Sequence, residues 1–155
     1  MNASTARALL VGLLVALWVW LSGMARLRVE IWPGIVALGC YFAAGGGVSG
    51  LQKTLISTLS GVVWVLVAAA VRVAIGGTSI VAAVIAGAMV CAIILVARLP
   101  FLSFIAGALA GAGVAWGMGV NTVNEAIRVG IALAIGALLG FAAERIAGAV
   151  TARRS

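Results

Sequence analysis

Two stretches of this chain, Thr54 to Val71 and Ser79 to Val96, contain no charged side chain at all. Each approaches the roughly 20 apolar residues that carry a helix across about 30 Å of hydrocarbon. Further apolar runs flank them, so the chain reads as a bundle of membrane-crossing helices, solvated on its outside by lipid.

Composition supports this at every point where it bears on the question. Of 155 residues, 65% are hydrophobic and 8% are charged, too little polar surface to clothe a water-soluble globule. One transmembrane domain, 1–155, is expected, with the lipid bilayer as its first partner. The net charge of +7 comes from ten Arg and Lys against three acids. In a soluble protein that balance suggests nucleic acid. Here the basic residues stand singly in loops and tail, where topology and lipid head groups account for them, and no nucleic-acid partner is expected. Cys40 and Cys91 both fall inside apolar segments with no ligand spacing around them. They read as small packing residues, not as a disulfide or metal site.

Six spans follow from the pattern. Ala8 to Ser22 is the first; it is short enough to resemble a secretory leader, but no small-x-small cleavage pattern follows Ser22, and Trp18 with Trp20 suits an interfacial anchor. Residues 1–22 are therefore expected to be retained. A loop with Arg26, Arg28 and Glu30 leads to the second span, which opens at Trp32-Pro33, where proline is tolerated in a first helical turn. Its glycines culminate in Gly45-Gly46-Gly47 and Gly50, which predict a helix break between Ile31 and Gly50. Lys53 precedes the third span, Thr54 to about Val71, closed by Arg72 and a Gly76-Gly77 turn. Ser79 to Val96 is the fourth. Arg98 and Pro100 open the fifth, with glycines at 107, 111, 113, 117 and 119. The sixth runs from about Val123 to Val150, before the Arg153-Arg154 tail.

An even number of spans puts both termini on one side. Arg7, Lys53, Arg98, Arg145, Arg153 and Arg154 would then lie inside, against Arg26, Arg28, Arg72 and Arg128 outside, which favours cytoplasmic ends. Trp18, Trp20, Trp32 and Trp116 would fall near the outer interface, with Trp64 near the midplane.

The second and fifth spans each start at a proline, Pro33 or Pro100, each is glycine-interrupted, and each precedes a longer span. This divides the chain three plus three, and with an odd number per half the halves would insert in opposite senses. Paired broken spans in such halves point to a binding site or pathway near the midplane. The rival explanation is that glycine is common in membrane helices and the two spans coincide in composition.

The residues exclude more chemistry than they propose. There is no histidine, and the acids are Glu30, Glu125 and Glu144. Glu30 and Glu125 belong to outer loops, and Glu144 lies toward the inner end of the last span beside Arg145. No metal site, triad or paired-carboxylate mechanism assembles from these, no enzyme and no cofactor is expected, and ion-coupled transport lacks its usual buried charge. Glu125 and Arg128 form an i, i+3 pair of small energetic weight.

Thr54, Ser57, Thr58, Gly61 and Trp64 share one helical face, with Ser60 a position off it. One reading is a hydroxyl-lined wall of a solute path, with Tyr41, Phe42 and Trp64 as an aromatic constriction. The other is helix packing, since membrane Ser and Thr commonly bond their own helix. Gly107/Gly111, Gly113/Gly117 and Gly136/Gly140 are small-xxx-small pairs for close helix approach, within the subunit or in a homo-oligomer.

With Gly39-Cys40-Tyr41-Phe42-Ala43, the glycine run, Gly50-Leu51, Leu59-Ser60-Gly61-Val62-Val63-Trp64 and Leu102-Ser103-Phe104 laid out, the chain resembles the YcdZ-like small bacterial inner-membrane proteins. The resemblance implies a multi-pass inner-membrane protein of about six spans with cytoplasmic ends, and carries over no catalytic residue. Ala44 to Gly47 departs from the cysteine- and proline-containing version of that family. It places Ser103 and Phe104 in the matching region, and they join the candidate lining residues.

The expected function is a channel or facilitator for a small uncharged polar solute, assembled as a homo-oligomer, because broken spans with a hydroxyl and aromatic lining suit passive passage. The alternatives are a non-transporting accessory protein that oligomerises or binds another membrane protein, and a small exporter, which would need a membrane carboxylate.

Overall fold

The computed structural model describes residues 3–24, 30–76 and 78–152; Arg26, Arg28, Gly77, Arg153 and Arg154 lie outside the described residues. Six α-helices and one short turn account for nearly all of them, and no strand occurs among the described residues. The helices are α1 (Ala3–Met24), α2 (Ile31–Ala43), α3 (Gly47–Ile75), α4 (Ser79–Val96), α5 (Ile105–Gly117) and α6 (Val123–Ala152), with a single 3-10 turn at Pro100–Leu102 before α5. The expected all-α bundle is therefore what the chain forms.

Three of the helices, α3, α4 and α6, are long and apolar enough to cross a membrane. By contrast, α2 and α5 have 13 residues each. At 1.5 Å per residue such a helix reaches only about 20 Å, short of the hydrocarbon thickness of about 30 Å. Local chemistry sets these limits. Pro33 sits in the first turn of α2, Thr78 caps α4 by accepting from the Val81 N–H, and Thr122 with Glu125 forms a capping box at α6. In that box the Glu125 carboxylate accepts from the Asn121 and Thr122 N–H groups at 2.9 and 3.0 Å. Arg128, which the sequence paired with Glu125, adds a smaller charge attraction to the same carboxylate.

The short helices lie across the long ones of the opposite half. α2 packs chiefly on α6 and α5 on α3, while α3 meets α6 between them; α1 lies on α6 and α4 on α3. Glycine makes these crossings possible. A methyl group added at Gly136 would land on the Gly34 backbone, one at Gly61 on the Ala108 carbonyl, and one at Gly111 on the Thr58 carbonyl. The surrounding core is built from Ala37, Val62, Ala108, Ala112, Val129 and Leu133, all buried. Small residues thus bring the backbones together, which is how helices associate where lipid is the solvent. Many large apolar side chains point outward instead, among them Val73, Ile80, Val84 and Leu13, all exposed. Trp20, Trp32 and Trp116 are exposed as well, whereas Trp18 is enclosed and its ring lies against Gly34.

A numerical regularity runs through the fold. α5 is α2 displaced by 74 positions at both ends, Ile31 to Ile105 and Ala43 to Gly117. The buried residues Pro33, Gly34, Ala37 and Tyr41 of α2 match the buried Gly107, Ala108, Gly111 and Ala115 of α5 at the same displacement. So do the helix ends. Ala44, Gly45 and Gly46 donate to the carbonyls of Cys40, Phe42 and Tyr41; Met118, Gly119 and Val120 donate to those of Val114, Trp116 and Ala115. Both are Schellman caps with a left-handed glycine, Gly45 (φ 94°) and Gly119 (φ 67°).

Candidate functional site

The glycine run that ends α2 performs a backbone task. Gly45, Gly46 and Gly47 have φ of 94°, 69° and 65° in succession, a path that L side chains rarely follow. It turns the chain so that Gly47 opens α3, with its N–H among the groups that a helix start leaves without an intrahelical partner. This N–H points at two acceptors. It lies 2.8 Å from Glu144 Oε2 and 2.9 Å from the Tyr41 Oη, and the Tyr41 hydroxyl in turn donates to Glu144 Oε2. Three elements are joined at one carboxylate oxygen: the end of α2, the start of α3 and the far part of α6.

Each member is fixed by its surroundings. Tyr41 is fully buried, edge-on to Phe42 at 5.2 Å and to Phe141 at 6.5 Å between ring centroids. Its ring lies over Gly140, where an added Cβ would come within 2.6 Å of Tyr41 Cδ1. Gly46 is needed twice, for its backbone angles and because a Cβ there would stand 2.6 Å from Glu144 Oε2. Arg145 extends over the Phe141 ring, 5.0 Å from its centroid. A carboxylate at the N-terminus of a 29-residue helix is favoured by the exposed N–H groups and by the helix dipole. The arrangement can hold a negative charge at this end of the bundle. Among the described residues no three His, Cys, Asp or Glu side chains come together.

The hydroxyl stripe lies elsewhere on α3. Thr54, Ser57 and Thr58 are fully buried. Thr58 Oγ1 donates to the Thr54 carbonyl at 2.7 Å, and Ser60 Oγ to the Ser57 carbonyl at 2.7 Å, so these two hydroxyls are satisfied on their own helix. Among the described residues the hydroxyls of Thr54 and Ser57 have no hydrogen-bond partner. Ser57 faces α5, its Cβ 3.1 Å from where a Gly107 Cβ would be, and the Phe104 ring covers the same glycine. Ser103, exposed, donates to the Pro100 carbonyl.

Tyr41, Phe42 and Trp64 are not brought to one level. Tyr41 meets Gly47 at the start of α3, whereas Trp64 is 17 positions further along that helix, about 25 Å away at 1.5 Å per residue. Trp64 lines a groove of about 250 Å³ between α3 and α4 with Val67, Val71, Met89 and Ala92. Gly50 lies inside α3, one turn beyond the break, donating to the Gly46 carbonyl. Of the small-residue pairs, Gly107/Gly111 and Gly136/Gly140 sit at helix crossings. Gly113 has open space beside it and Gly117 has only the Trp32 ring, at 3.8 Å.

Glu144 is the participant that sequence reasoning passed over. Its position beside Arg145 suggested an interfacial charge. The signal available was the single acid in the last third of α6, following the uncharged run 129–141.

A cavity of about 330 Å³ lies at the opposite end of the bundle, lined by Glu30, Met118, Val120, Glu125, Arg128 and Ala132. A polytopic helical membrane protein, with a tyrosine–carboxylate contact at one end and a cavity at the other, is the class that these features define. The chain belongs to the family described as a protein of unknown function, DUF1097, whose profile matches residues 8–148. It is similar to the inner membrane protein YcdZ of Salmonella typhimurium strain LT2, with 32% identity over 113 residues, 72% of this chain and 69% of the relative. No solved structure matches. Together with the apolar spans, this relationship makes the chain an inner-membrane protein.

Proposed function

We propose that the protein is a facilitator for a small uncharged polar solute, with both termini in the cytoplasm, held closed at its inner end by Tyr41 and Glu144. The observation that carries this reading is the pair of buried hydroxyls, Thr54 and Ser57, without hydrogen-bond partners. An unsatisfied buried hydroxyl costs about 1–3 kcal/mol, and a passing polar solute or water would remove that cost. The hydroxyls stand 7 and 10 positions into α3 from Gly47, about 10–15 Å from the closure at 1.5 Å per residue, and Ser57 lies where α3 meets Gly107 of α5. The 330 Å³ cavity lies at the opposite end of the bundle. The acid held at the inner end is engaged with Tyr41 and Gly47, which leaves the neutral hydroxyls to meet the solute between that closure and the cavity. The 74-residue correspondence supports an inverted three-plus-three repeat, the architecture in which two short helices meet between the halves.

Stopped-flow light scattering on proteoliposomes tests the proposal. Wild-type protein should raise permeability to water, glycerol or urea above that of empty vesicles, and Tyr41→Phe and Glu144→Gln should raise it further by loosening the closure. Permeability equal to empty vesicles for all three proteins would remove the proposal.

The backbone crossings of Gly34 with Gly136 and of Gly61 with Ala108 favour a second reading, an accessory subunit whose interior is fully packed. A stoichiometric membrane partner in mild detergent, with no solute flux, would support that reading.

A further inference from the structure

Two cavities of opposite character meet between α3 and α4. The first, about 130 Å³, is lined at its mouth by Arg72, Trp116 and Asn121, with Ala68, Ala82 and Ile85 among the residues of its walls. The second is the 250 Å³ groove of Trp64, Val67, Val71, Met89 and Ala92, and it shares Ala68 and Ile85 with the first. The cleft exists because α4 is anchored by its second half alone: Met89 and Ile93 are its only buried side chains, and Ile80 and Val84 stand exposed. Arg72 is the one charged residue lining either cavity among the described residues. It lies in the last turn of α3, eight positions from Trp64, about 12 Å along the axis at 1.5 Å per residue.

The geometry points to a binding site for a single anionic diacyl phospholipid, with its phosphate beside Arg72, Asn121 and Trp116 and an acyl chain in the Trp64 groove. Charge complementarity and depth favour this occupant. A guanidinium presents several donors suited to phosphate oxygens. An indole at a membrane interface keeps its N–H toward polar groups and its body in hydrocarbon. The groove begins beside these groups and continues toward the middle of the bundle with apolar side chains only. A free phosphate would leave that groove without an occupant of its own, and a zwitterionic lipid would leave the Arg72 charge without net compensation. The site is independent of solute passage, since it lies beside the second half of α3, away from Gly47, Tyr41 and Glu144.

The test uses the full chain, reconstituted in mixed vesicles of phosphatidylglycerol and phosphatidylethanolamine, extracted in mild detergent and analysed for retained lipid by native mass spectrometry. About one phosphatidylglycerol per chain should be retained, enriched about fivefold over the vesicle ratio, the weight of one basic residue near an anionic head group. Arg72→Gln should bring retention to the vesicle ratio, and Arg72→Lys should keep most of the enrichment. Ala92→Phe, which fills the groove, should abolish retention, and Arg128→Gln, outside the cleft, should leave it unchanged. Each variant is compared only as a monodisperse helical protein. Enrichment that survives Arg72→Gln, or falls equally with Arg128→Gln, would overturn the site. So would a retained fatty acid or zwitterionic lipid in place of phosphatidylglycerol.

Discussion

The Tyr41 hydroxyl donates to the Glu144 carboxylate across 103 positions of chain, and the Gly47 N–H reaches the same oxygen. A hydrogen bond to an ionised group contributes about 1.5–3 kcal/mol, so Tyr41→Phe should lower stability in mild detergent by about that amount. Glu144→Gln should cost a similar amount, because the amide has a weaker acceptor for both donors. The double variant should lose clearly less than the two single losses added, since either change breaks the same contact. Thermal unfolding followed by tryptophan fluorescence measures all three, and strict additivity would separate Tyr41 from Glu144.

Gly46 and Gly113 make a matched contrast. At Gly46 a Cβ meets Glu144, and the backbone has φ of 69° and ψ of −167°. That conformation is essentially reserved for glycine and costs other residues about 1–3 kcal/mol. Gly113 is helical with open space around it. Gly46→Ala should therefore destabilise by about 2 kcal/mol or more, while Gly113→Ala should stay within about 0.5 kcal/mol or stabilise slightly through helix propensity. The same unfolding assay reads both.

The two Schellman caps predict a second kind of equivalence. Gly45 and Gly119 have left-handed φ and free space around the missing Cβ, and they make the same hydrogen bond 74 positions apart. Gly45→Ala and Gly119→Ala should each cost about 1–2 kcal/mol, and the two losses should agree to within about 0.5 kcal/mol. A large inequality would mean that the halves carry unlike strain at these ends. The bundle would then be less symmetric in energy than in backbone.

How much of this was legible in the sequence depended on whether the deciding contacts were local. Ser79–Val96 coincides with the expected fourth span because an unbroken apolar run, a Thr78 cap and Arg98 beyond it act within a few residues. The glycine run announced a break for the same reason. The start of the third span was not legible: Thr54 looked like its beginning, but α3 begins at Gly47, whose N–H finds acceptors on α2 and on α6, 97 positions away. Glu144 beside Arg145 resembled any interfacial pair until tertiary packing turned its carboxylate onto Tyr41. The outward placement of Gly113 likewise depends on which face of α5 meets α3, and a spacing of four residues does not specify that.

Thr54 and Ser57 offer the decisive comparison between a path and a packed interior. Both side chains are fully buried without hydrogen-bond partners among the described residues, whereas Thr58 on the same face donates to the Thr54 carbonyl. Removing an unsatisfied hydroxyl removes its desolvation cost, so Ser57→Ala and Thr54→Val should hold or raise stability, by up to about 1 kcal/mol. Thr58→Val loses a satisfied bond and should lower it by about 0.5–1.5 kcal/mol. Solute flux separates the explanations, because a lining role makes the first two variants stable but slower. Thermal unfolding and proteoliposome flux, measured on the same preparations, should move in opposite directions for Ser57→Ala and Thr54→Val. Flux unchanged in both, alongside raised stability, would assign the hydroxyls to the contact between α3 and α5.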